Sequence, residues 1–95
     1  MSVRAYRVNS KDLAEACSFN CWRDTDILDF ILENGFWDGR NDDGCGSMDV
    51  PVSTLEKLLA GYKWEDGEDY RRDAIKADIA WAKQNDRETV EYDCF

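Results

Sequence analysis

The chain has 95 residues, 43% of them hydrophobic, with four Trp, four Tyr and four Phe and a formal net charge of −9. That length suits one domain around one core, and the apolar and aromatic content exceeds what a disordered chain of this charge carries. It has no histidine, which excludes Ser-His-Asp and Cys-His catalysis and every zinc site built on imidazole.

No apolar run approaches the ~18 residues of a membrane span, and Met1-Ser2-Val3-Arg4 lacks the apolar stretch of a signal peptide. The expectation is a cytoplasmic protein without membrane association. In that compartment Cys17, Cys21, Cys45 and Cys94 are four reduced thiols acting as small hydrophobes. The alternative is a four-thiolate zinc site in a metal-stabilised adaptor domain, but the chain lacks the paired Cys-x-x-Cys knuckles such sites use. No cofactor is expected.

In chain order, Val3 to Val8 alternates without a breaker and predicts a strand. Ser10 stands at an N-cap position, and Leu13, Ala16 and Cys17 have the spacing of a short helix. Residues Ser18 to Arg23 fit either an extension of that helix, with Cys21 continuing the Cys17 face, or a short strand or connector carrying Phe19 and Trp22 into the core. Asp24 or Thr25 caps the next helix, whose apolar face is Ile27, Phe30 and Ile31 flanked by Leu28 and Leu32, with Asn34-Gly35 as the stop. Its outer face carries Asp26, Asp29 and Glu33. Like charges at helical spacing gain nothing from pairing, and the plainest account of such a stripe is a solvated face.

Phe36 to Ser47 has the composition of a loop, with three glycines among Asp38, Asp42 and Asp43. It fails as a calcium loop: Gly44 falls one position late, Arg40 occupies a ligand position and the bidentate Glu is absent. Met48 to Val52 predicts a short strand ending at Pro51. Ser53-Thr54-Leu55-Glu56 has the pattern of a capping box and starts a helix with Leu55, Leu58 and Leu59 inward, ended by Gly61.

Glu68 to Asn85 carries the clearest helical period. Tyr70, Ala74, Ala77 and Trp81 form one seam and Ile75, Ile79 and Ala82 a second, with Arg71 and Asp78 between them as an expected ion pair near the buried face. Asp86 and Arg87 turn the chain, and Val90, Tyr92 and Cys94 alternate against Glu91 and Asp93 in a half-buried strand. The two terminal strands are candidates for neighbours in one antiparallel sheet. The expected fold is α+β, a single domain over residues 1–95, with about three antiparallel strands and three or four helices packed on one face.

Charge is spread unevenly. Residues 1–23 carry four basic and two acidic side chains, residues 24–69 three and thirteen, and residues 70–95 five and six. The acidic middle repels nucleic-acid phosphates and fits a basic protein surface. The partner-binding residues it offers are Asp26, Asp29, Glu33, Asp38, Asp42, Asp43, Glu65, Asp66, Glu68 and Asp69, with Trp37 and Trp64 as aromatic anchors. Exposed aromatics also leave homodimerisation open. Catalysis would rest on Asp78 and Arg71, unaccompanied by a phosphate loop, nucleophile elbow or metal-carboxylate motif, so no enzyme is expected.

A short, histidine-free, strongly acidic domain without a catalytic motif resembles, in overall character, the small phage-encoded anti-defence inhibitors of the anti-CRISPR and anti-restriction type. The resemblance implies a stoichiometric inhibitor in a host cytoplasm that occupies the nucleic-acid groove of a nuclease complex. Immunity proteins and antitoxins that neutralise nuclease toxins share this character. The helix from Glu68 to Asn85 then reads as scaffold and the Asp24 to Asp69 stretch as the working surface.

Overall fold

The computed structural model describes residues 3–9, 12–14, 17–41, 44–64 and 69–95. Along them run β1 (Arg4–Arg7), β2 (Phe19–Asn20), α1 (Thr25–Asn34), β3 (Trp37–Asp38), β4 (Gly46–Pro51), α2 (Val52–Gly61), α3 (Asp69–Gln84) and β5 (Thr89–Cys94). The strands form one five-stranded antiparallel sheet in the order β2-β1-β5-β4-β3. The terminal strands β1 and β5 are neighbours, as expected. The sheet exceeds the expected three strands because β2 and β3, two residues each, sit at its edges. Segments that short show no period in sequence.

Period-two alternation sets the two faces. Val90, Tyr92 and Cys94 of β5 and Met48 and Val50 of β4 are buried. In register Val50 stands opposite Val90 and Met48 opposite Tyr92. Ile27 and Ile31 of α1, Leu55 and Leu58 of α2, and Ile75, Ile79 and Ala82 of α3 join them in one core, so all three helices cover the same face. Among the described residues no helix is long and apolar enough to cross a membrane.

Five local expectations are corrected. The helix expected from Leu13 to Cys17 is absent from the described residues there: Leu13 bridges Val8, and the Ala14 and Ser18 N–H groups donate to the Arg7 and Ala5 carbonyls. The segment folds back along β1 and satisfies its free edge, and this outweighs a three-residue apolar spacing. Ser10, its expected cap, lies outside the described residues. The box at Ser53 does not form, because α2 starts at Val52 directly from Pro51, with no side-chain cap bond. The Val52 N–H already donates to Glu88 O, and the Thr54 hydroxyl reaches Asn34 O and Gly35 O at 3.2 and 3.1 Å, tying α2 to the end of α1.

On α1, Leu32 points outward at 65% exposure instead of flanking the core. Asp24 occupies the N-cap position without capping; its carboxylate accepts the Asn20 N–H at 2.7 Å and Arg71 Nε at 2.8 Å. Gly35, at φ 92°, ends α1 where the sequence places the stop. On α3 the Ile75, Ile79, Ala82 seam is buried, whereas Trp81 is half-buried and Tyr70 exposed.

Candidate acidic interaction surface

The same alternation that buries Val90, Tyr92 and Cys94 turns Glu91 and Asp93 to the opposite side of the sheet. There the register aligns Trp37, Asp49 and Glu91 in one row across β3, β4 and β5, and Ser47, Asp93 and Tyr6 in the next across β4, β5 and β1. Among the described residues no element packs over this face, and Glu91 is exposed.

Directly opposed residues on antiparallel strands have Cβ atoms ~4.5–5.5 Å apart, so Asp49 and Glu91 repel each other. Asp93 lies two residues along from Glu91, about 7 Å away on the same side. Three carboxylates thus crowd the middle of the open face. Aromatics bound it: Trp37 on one side is 59% exposed, and Phe95 on the other is 58% exposed and stacks on Tyr6 at 5.1 Å.

A glycine sets the indole of Trp37. A Cβ on Gly39 would stand 2.5 Å from the Trp37 ring and 3.0 Å from Ser47 O, so the ring can lie over Gly39 only while that residue lacks a side chain. Gly39→Ala is expected to lift Trp37 off the sheet and to destabilise by about 1–2 kcal/mol. Iodide quenching compared between the wild type and a Trp37→Phe control reads the change. Unchanged Trp37 quenching would show that the ring is held by something else.

The residues singled out in sequence fall in several places. Asp26, Asp29 and Glu33 are exposed on the outer side of α1, and make no ion pair with any described residue. They lie on the helical layer, not on the open sheet face. Asp38 is neutralised locally: Arg40 Nε and Nη2 grip its two oxygens at 2.8 and 2.9 Å, and the guanidinium holds the carboxyl below the usual range. Asp69 pairs with Arg72 at 3.1 Å. Trp64 is half-buried against the core, edge-on to Tyr62 at 4.7 Å. Asp42, Asp43, Glu65, Asp66 and Glu68 lie outside the described residues. Sequence reasoning missed Asp49, Glu91 and Asp93 as a group. The alternation of β5 announced the last two as outward, but only the register with β4 adds Asp49.

The expected Arg71 and Asp78 pair does not form. Arg71 turns to Asp24, and Asp78 meets Arg7 of β1 at 2.9 Å. The Ser18 hydroxyl donates to Asp78 at 2.5 Å and the Tyr92 hydroxyl at 2.7 Å. At 1% exposure the carboxyl is sealed, and burial pushes its pKa up against the pull of Ser18, Tyr92 and Arg7. Arg7 also donates to Asn9 at 3.0 Å and lies over the Trp81 ring. The cluster ties β1, β5 and α3 together.

Of the cysteines, Cys21 and Cys94 meet with sulfurs 3.9 Å apart. Among the described residues no three Cys, Asp or Glu side chains converge to hold a metal ion. Comparison with protein-family models, curated proteins and solved structures finds no match to this chain.

Proposed function

We propose that the protein is a non-enzymatic inhibitor whose acidic surface docks on the basic nucleic-acid-binding surface of a nuclease or of a CRISPR or restriction complex and blocks nucleic-acid access. The reading is carried by the Trp37, Asp49, Glu91 row with Asp93 beside it: like charges face each other at a cost to the fold, on a side of the sheet left open, beside an exposed indole. An exposed aromatic beside carboxylates is the composition of an anchor with a charged rim. A lysine- or arginine-lined groove answers that pattern, and occupying it excludes phosphates of the same sign. The stripe of Asp26, Asp29 and Glu33 provides a second acidic surface on the helical layer. The sealed state of Asp78 favours a structural over a catalytic role.

The test is displacement of a labelled DNA duplex from purified candidate complexes at low and at moderate salt. The expected result is stoichiometric displacement that weakens steeply as ionic strength rises. DNA that stays bound in every complex, or binding indifferent to salt, rejects the reading.

A further inference from the structure

Cys21 and Cys94 stand 73 positions apart in sequence, and the backbone of β1 brings them together. Cys94 ends β5 opposite Ala5, with its side chain on the covered face. Cys21 opens the turn after β2, and its N–H donates to Val3 O at 2.7 Å. Both residues are therefore anchored from opposite sides to the β1 stretch, with sulfurs 3.9 Å apart. Bond formation requires an approach of about 2 Å, within reach of side-chain rotation and small backbone adjustment.

The surroundings distinguish the two sulfurs. Arg40, itself held by Asp38, faces Cys21. The Cys94 S–H bond to the Cys21 sulfur, with Arg40 adding to it against burial, pulls Cys21 down to about 7. Cys94 moves the other way, raised by its bond to Cys21, by burial and by the neighbouring negative charge. One attacking thiolate beside one protonated thiol is the arrangement of a peroxidatic and resolving pair. Cys17 and Cys45 are only half-buried and have no sulfur partner.

We infer that Cys21 and Cys94 form a dithiol modification site that hydrogen peroxide oxidises to a disulfide. The Cys21 thiolate attacks one peroxide oxygen, the O–O bond breaks, and the departing hydroxide takes a proton to leave as water. The resulting Cys21 sulfenic acid is then attacked by the Cys94 sulfur. An S–S bond forms, the S–O bond breaks, and the sulfenic oxygen leaves as water with the Cys94 proton. Two thiols lose two electrons and two protons, and one peroxide becomes two waters. The bond joins the turn after β2 to the end of β5 and so closes the sheet across β1.

The experiment treats the reduced, folded full chain with stoichiometric hydrogen peroxide and follows it by denaturing thiol titration and peptide mass mapping. The expected product has lost two thiols and two hydrogens in mass, carries a Cys21 to Cys94 cross-link, and is restored by dithiothreitol. Its rate should rise with pH up to about 7 and level off above, as Cys21 ionises in the field of Cys94, Arg40 and Asp38, while Asp93 acts on Cys94. In Cys94→Ser, oxidation should stop at a Cys21 sulfenic acid that dimedone traps. Mapping of the wild type decides the matter even if that variant folds poorly. Oxidation first at Cys17 or Cys45, a cross-link between any other pair, or no loss of thiols in the folded protein overturns the inference.

Discussion

Asp78→Ala is expected to cost about 3–5 kcal/mol, enough to lower the thermal midpoint of a domain this size by more than about 12 °C. The substitution strands three donors at once. The Tyr92 hydroxyl is fully buried, the Ser18 hydroxyl nearly so, and the Arg7 guanidinium keeps only Asn9 and the face of Trp81. Tyr92→Phe removes one donor and leaves the carboxylate two, so a loss of about 1.5–3 kcal/mol is expected. Urea unfolding with linear extrapolation measures both. A loss below about 1 kcal/mol for Asp78→Ala would mean that the cluster does not hold β1, β5 and α3 together.

The pH dependence has a definite sign. Burial raises the Asp78 pKa above its ordinary 3.8, so the folded state holds this proton more tightly than the unfolded one. Its linkage contribution is therefore fully present below about pH 3.8 and is lost as pH rises through the raised folded value. Asp78→Asn has no such proton. The stability gap between the wild type and this variant should narrow as pH rises from about 4, then stay constant. A gap that widens with pH would mean that the hydrogen bonds outweigh burial.

Charge reversal on the open sheet face is expected to separate stability from binding. Glu91→Lys replaces the repulsion with Asp49 by an attraction, which should raise stability by roughly 0.2–1 kcal/mol. The same change should weaken docking on a basic partner. Reversing Asp49, Glu91 and Asp93 together is expected to reduce affinity by about 100-fold or more, at about 1 kcal/mol or more per carboxylate. Trp37→Ala should cost about 2 kcal/mol if the indole anchors the contact. Titration calorimetry of the folded variants, alongside a reversal of Asp26, Asp29 and Glu33, locates the surface. Affinity lost only in the helical variant would move docking to α1 and set the sheet face aside.

Legibility in the sequence followed the range of the interactions. The Ile75, Ile79 and Ala82 seam of α3, the alternation of β5, the strand end at Pro51 and the stop at Gly35 each depend on neighbours within one or two turns, and each is where the sequence places it. The arrangement of Arg7 with Asp78, 71 positions apart, depends on β1 meeting β5. No local pattern favours Arg7 over Arg71, which shares a helix with Asp78. The acidic face divides the same way. Asp26, Asp29 and Glu33 are visible at helical spacing, whereas Asp49 beside Glu91 is a property of strand register. Leu13 misled because its spacing to Ala16 and Cys17 carries no sign of the Val8 backbone it bridges, a partner supplied by the chain doubling back.

The strand at the centre of the sheet, β5, is also the last of the eight described elements in sequence order, and this bears on how the sheet is assembled. Until residues 89–94 leave the ribosome, β1 and β4 have no strand between them, and each presents an unpaired edge. Tyr92, which reaches both Asp78 and the inner face of the sheet, arrives after every other part of the core but Cys94. Assembly must then be largely a late event, with the final strand inserting between two waiting ones, a topology rich in distant contacts and slow to close.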